Sequence, residues 1–270
     1  MGLLGLVIPM EGGEAEDSHW PPGVHSFDGR PLFPGAGVDW INNHLFQAVL
    51  GAVIVIGVWI WLANGHKLVP GKKQFAGEQI YNVLRNGIAR DILGHEYRKF
   101  LPYLVALFSF ILVNNLFGQF FLLMFPTFSK VGYAYALAML TFILYNAAGI
   151  AKWGVFGYLK RMTLPEGVPP ALWVIIIPLE FASNFIVRPI TLALRLFANL
   201  FAGHLVVVVF VMGGALLLEQ ASIGYKLAGG VALLMSGAIF ALEIFVAVLQ
   251  AYIFTVLSAQ YIASSIAEEH

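Results

Sequence analysis

Glu180, Arg188, Arg195, His204 and Glu243 stand inside two long runs, 171–218 and 227–267, that are otherwise almost wholly apolar. An arginine at the centre of a membrane helix costs about 2.5–3.5 kcal/mol on translocon scales, and ionisable groups kept at that depth mark ion pathways. Asn184, Arg188, Thr191, Arg195 and Asn199 follow one another at intervals of 4, 3, 4 and 4, which is one face of a helix. His204 lies nine residues beyond Arg195, about 180° further round. Ser236, Glu243 and Gln250 recur every seven residues as a second, thinner polar stripe. A turn near Ser222–Gly224 folds the two runs antiparallel. It sets Arg195 level with Gln250 and His204 level with Glu243, and leaves Glu180 toward the opposite end, beyond Pro189. Carboxylates and imidazoles can titrate near neutral pH when their surroundings shift them, whereas a guanidinium does not release its proton. The pattern is two proton-handling regions separated by a permanent cation. A continuous wire would leak; two half-paths would not, provided a mobile carboxylate on another subunit carries the proton across.

The elements that must hold these groups follow from composition. The chain has 270 residues, 59% hydrophobic and 11% charged, against about 45–50% and about 25% in an ordinary soluble domain. A soluble enzyme, a nucleic-acid binder and a disordered regulator are excluded on that ground. Net charge is zero and there is no cysteine, hence no disulfide frame or thiolate site. No phosphate loop of the Gly-x-x-x-x-Gly-Lys type is present, and His19, His25, His44, His66 and His95 are scattered without metal-ligand spacing, so neither cofactor nor metal is expected.

A bilayer core about 30 Å thick needs about 20 apolar residues. The expected spans are 45–63, 100–124, 133–151, 171–218 broken at Pro189, and 227–267. The last two are too long to stand upright and must tilt. Helical spacing of Ile80, Val83, Leu84, Gly87 and Ile88 between Gly77 and Gly94 adds an amphipathic helix on the membrane surface. The fold class is an all-α integral membrane protein with five spans, this interfacial helix and a tilted terminal hairpin. Residues 1–44 form an extracytoplasmic segment and 45–270 one membrane domain. Met1–Met10 is apolar but lacks a basic start and runs into Glu11, Glu14, Glu16 and Asp17, so it reads as an irregular or interfacial segment in preference to a secretory signal. Lysines and arginines concentrate in 64–99 and 152–169, which places those loops and the C-terminus in the cytoplasm and the N-terminus outside.

Leu194-Arg195-Leu196-Phe197-Ala198-Asn199-Leu200-Phe201-Ala202-Gly203-His204-Leu205, preceded by Arg188-Pro189-Ile190-Thr191-Leu192, resembles the signature of subunit a of the F-type ATP synthase. Leu249-Gln250-Ala251-Tyr252-Ile253-Phe254 is similar to that family's last-helix motif, and Asn114-Asn115-Leu116 fits too. The likeness runs from about residue 45 to the end, with His25-Ser26-Phe27 and Val69-Pro70-Gly71-Lys72 most like actinobacterial-type members. It implies a subunit of the bacterial plasma membrane, with a ring of c subunits, peripheral-stalk b subunits, the rest of the synthase, protons and lipid as partners. Arg195 would face the ring and hold its carboxylate ionised, with Gln250 and Asn199 supporting. His204 and Glu243 would line the outside half-channel and Glu180 the cytoplasmic one. Arg188 fits a path role and a headgroup or capping role equally, and Asn115 a path role or helix packing. Glu180 stands fifteen residues before Arg195, where many members have fourteen; a one-residue bulge near Pro189 would restore its orientation. Many bacterial relatives supply an aspartate after Asn115, where Gly118 and Gln119 stand here. The rival reading is a self-contained proton-coupled secondary transporter with Arg195 binding an anionic substrate. Such folds usually carry internal repeats, and none is visible.

Overall fold

Apolar runs in lipid can satisfy their backbone only within one segment, and so they coil. The computed structural model describes residues 42–64, 71–119, 127–164, 169 and 172–267, and every element among them is helical. Five helical stretches among these residues are long and apolar enough to cross a membrane. The expected segment 1–44 lies outside the described residues except for its last three, as do 120–124 of the second expected span and the final three residues.

Helix α1 (Asn43–Ala63) begins where the Asn42 side chain accepts from the Leu45 N–H at 2.9 Å, pairing one of the donors that a helix start leaves open. Helix α2 (Lys72–Leu84) continues through a π-helical turn, Arg85–Arg90, to Leu93. Gly94 then turns the chain at φ 57° into α3 (Tyr97–Phe117). The interfacial helix expected over 77–94 is therefore longer than expected and bent. It packs Leu84, Ile88, Ala89 and Leu93 against Leu101, Leu104 and Ile262.

The helical stretch α4 (Val131–Thr163) is two helices joined at a kink, and the first of them ends close to the expected 151. The kink is Gly154, whose φ 71° and ψ 166° are not helical; that backbone region is essentially closed to any residue with a Cβ. The part after the bend folds back, so that the Tyr158 ring packs on Gly149 and its hydroxyl donates to Asn146 Oδ1 at 2.9 Å.

Helix α5 (Trp173–Phe181) passes through a second π turn, Ala182–Val187, into α6 (Arg188–Glu219), which is followed by α7 (Ile223–Ile266). The interruption expected at Pro189 is thus displaced upstream, and Pro189 itself sits in the first turn of α6, where its missing N–H is tolerated. Helix α7 has 44 residues, roughly 66 Å at 1.5 Å per residue, about twice the bilayer core.

Helices α6 and α7 form the antiparallel hairpin. A Cβ on Gly229 would stand 2.7 Å from the Gly214 carbonyl oxygen, so the two backbones touch there. Helix α3 packs Leu107 and Ile111 against the hairpin's Leu196, Leu200 and Phe254. At the far end of α7, Lys152 Nζ donates to the Ile266 carbonyl at 2.9 Å and Arg161 to that of Ala267 at 3.3 Å. Cations from α4 thereby satisfy acceptors that a helix end leaves open. The outer surface is largely apolar, with Val53, Ile56, Leu234 and Phe245 among its exposed side chains.

Candidate functional site

The seven-residue stripe on α7 becomes one buried line: Ser236 is 8% exposed, Glu243 6% and Gln250 3%. Facing it from α6, His204 Nδ1 lies 3.8 Å from Glu243 Oε1, with 12% of the histidine side chain exposed. This is the height match expected of the hairpin. Gly203, just before His204, makes the approach possible, because a Cβ there would already lie 3.1 Å from Glu243 Oε1.

Glu243 opens onto a narrow cleft lined by Asn115, Asn199, Leu200, Val246, Ala247 and Gln250. Its space is about that of a single water molecule. Asn115 Nδ2 donates to the Ala247 carbonyl at 3.1 Å, which pins α3 to α7 at this level. Among the described residues, neither Glu243 oxygen nor Asn115 Oδ1 receives a hydrogen bond from the protein, and Gln250 Nε2 donates none. Buried polar atoms cost about 1–3 kcal/mol each when unpaired, and several converging on one cleft suit a path for water or protons.

Arg195 does not enter this cleft. It lies on the exposed face of α6 with Thr191 and Leu194, and no hydrogen bond or ion pair holds it among the described residues. Gln250, expected at its level, faces the interior, and Asn199 lines the cleft beside Gln250. Fixed cation and titratable pair thus occupy different surfaces of the same hairpin.

Regular α spacing put Asn184 on the arginine stripe, and the structure corrects this. Between them lies the π turn, whose extra residue rotates everything upstream by about 100°. Asn184 is 3% exposed and turned toward α4, donating from Nδ2 to the Met162 carbonyl at 2.6 Å and to Glu180 Oε2 at 3.2 Å. Arg188 turns to the end of α7: NH1 donates to Ser264 Oγ at 3.1 Å, and the guanidinium lies 5.2 Å from the centre of the Tyr261 ring. The structure therefore gathers the predicted residues into three places: Glu243, Gln250, Asn199 and Asn115 at the cleft with His204 against Glu243, Arg195 alone on the surface, and Glu180 and Arg188 near the α4 and α7 ends.

Two buried participants were not legible in the sequence. Tyr145, 1% exposed, donates its hydroxyl to the Asn184 carbonyl at 2.9 Å. His44, one of the scattered histidines, is fully buried at the start of α1 with its ring 6.1 Å from that of Tyr133. The spacing of four between Glu180 and Asn184 was the one available signal for the Glu180 contact; nothing in the sequence pointed to Tyr145 or His44.

The family described as ATP synthase A chain matches residues 45–263. An ATP synthase subunit a from Nocardioides sp. (strain ATCC BAA-499 / JS614) is 44% identical over 263 residues, covering 94% of this chain and 95% of the relative. One from Pseudarthrobacter chlorophenolicus is 41% identical over 99% of this chain and the whole of the relative, and one from Streptomyces lividans 34% identical over 92% and 88%.

Proposed function

Because the chain belongs to the ATP synthase subunit a family, the membrane component of that complex and not its nucleotide-hydrolysing part, we propose that it carries the two offset proton half-channels of an F-type synthase. Arg195 closes the passage between them. The supporting observation is the division of the hairpin: a buried His204–Glu243 pair beside a polar cleft, and a permanent cation on the outer face of α6. Along the run from α5 through the π turn into α6, His204 lies about 14 Å from Arg195 and Glu180 about 22 Å the other way at 1.5 Å per residue, too far for direct exchange. A proton enters from outside by His204 and Glu243, moves along the Asn115–Asn199–Gln250 cleft and neutralises a carboxylate on a ring of c subunits seated against the Arg195 face. After the ring turns through lipid, the proton leaves toward Glu180. Arg195 draws each returning carboxylate into its charged form and conducts nothing itself. The membrane potential supplies about 2.3 kcal/mol per proton per 100 mV. Peripheral b subunits hold the chain against the torque.

Proton pumping by vesicles carrying the whole complex tests this. Arg195→Ala is expected to abolish coupled transport, and Glu243→Gln to slow it by about 100-fold or more, the lower end of what a positioned proton-transfer group contributes. Normal coupled rates in both variants overturn the reading.

A further inference from the structure

The π turn Ala182–Val187 has a cause that can be traced atom by atom, and its product is a clamp on Glu180. In this turn the Arg188 N–H bonds back to the Ser183 carbonyl, five residues away. By the same spacing the Asn184 carbonyl should receive the N–H of residue 189. That residue is Pro189, which has none. The orphaned carbonyl instead accepts the Tyr145 hydroxyl from α4 at 2.9 Å, inside the protein. Anchored there, the Asn184 side chain commits both hydrogens of its amide, one to the Met162 carbonyl at 2.6 Å and one to Glu180 Oε2 at 3.2 Å. Its own Oδ1 has no hydrogen-bond partner among the described residues although Asn184 is 3% exposed. Met162 lies beyond the Gly154 bend, so the kink in α4 is what delivers the second acceptor.

We propose that Asn184, fixed by Tyr145 and the Met162 carbonyl, is the positioning residue for Glu180 in proton release. It holds one carboxylate oxygen against the bundle and so orients the other for exchange. This rests on the reading of Glu180 as the cytoplasmic half-channel acid. The physical warrant is general: a proton passes only between groups held within hydrogen-bond reach, and a partly exposed glutamate such as Glu180 has rotamers that point elsewhere. A donor four residues along, itself bonded to α4 on both sides of the Gly154 kink, removes them. π turns recur at functional positions because the extra residue re-aims side chains without ending the helix.

A double-mutant cycle in the complete complex, reconstituted in vesicles, decides it, with ATP-driven proton uptake as the rate. Asn184→Leu keeps the volume and removes the donor, and is expected to slow uptake by about tenfold, a modest misplacement of a reacting group. Asn184→Gln, which keeps an amide, recovers most of the rate. In a Glu180→Gln background Asn184→Leu causes no further loss, as residues acting as one unit behave. Tyr145→Phe gives a smaller loss with the same dependence on Glu180, and decides the matter should Asn184→Leu fail to assemble. Equal losses from Asn184→Leu with and without Glu180, or no recovery by Asn184→Gln, would make the contact merely structural and overturn the proposal. Slow uptake in Glu180→Gln with a normal rate in Asn184→Leu removes the positioning role alone. Normal uptake in Glu180→Gln removes the role of Glu180 and this one with it.

Discussion

At the scale of single residues, the decisive contrast is between a carboxylate that the fold hides and a guanidinium that it leaves outside. Glu243 is 6% exposed and within 3.8 Å of His204, while Arg195 remains on the surface. Gly203 sets the first distance. A methyl there would crowd Glu243 Oε1 at 3.1 Å and Cδ at 3.3 Å, and since Glu243 is flexible it yields by moving. Gly203→Ala is therefore expected to leave the complex assembled and lower its proton-pumping rate several-fold. Gly57→Ala, where a Cβ meets nothing within 4 Å, leaves the rate unchanged and gains up to about 1 kcal/mol of helix propensity. Thermal unfolding and pumping measured side by side separate the two effects.

Among the elements, the interruptions carry more information than the regular helices. Two π turns, Arg85–Arg90 and Ala182–Val187, and the kink at Gly154 interrupt the long helical stretches. The bend at Gly154 holds a conformation that costs a side-chain-bearing residue of order 1–3 kcal/mol. Gly154→Ala is accordingly expected to lower the thermal unfolding temperature of the purified complex and to loosen the Tyr158–Asn146 and Asn184–Met162 bonds together. An unchanged unfolding temperature would show that the bend bears no strain. The α6–α7 hairpin has its own weak point. Gly229→Val drives a branched side chain into the Gly214 backbone, 2.7 Å from the new Cβ, and overpacking of this kind typically costs about 1–3 kcal/mol. Loss of the chain from the isolated complex, read on a gel, is the expected result.

For the whole molecule, the open question is which way the bundle faces, and the chain's lack of cysteine makes it directly measurable. The excess of lysine and arginine in 64–99 and 152–169 argues that these loops are cytoplasmic. A cysteine placed at Ser222, in the exposed α6–α7 turn, should react with an impermeant maleimide from the outside face of intact cells. One placed at Gly71, at the start of α2, should react only in inverted vesicles. The reverse labelling would invert the assignment of the half-channels while leaving their geometry intact.

Composition and spacing alone determined the class, the five apolar spans, the hairpin and the pairing of His204 with Glu243, because each depends on a repeat or a reflection that chain order preserves. A helix fixes the angle and height of its residues, and an antiparallel turn mirrors the heights of one helix onto the next. The direction in which Gln250 and Asn184 point, the displacement of the break from Pro189 to the π turn, and the part played by Tyr145 were decided only in three dimensions. Apart from Gln250, each turns on where a backbone group deprived of its helical partner finds another. That partner came from α4, some forty residues away in the chain, and no local pattern records it.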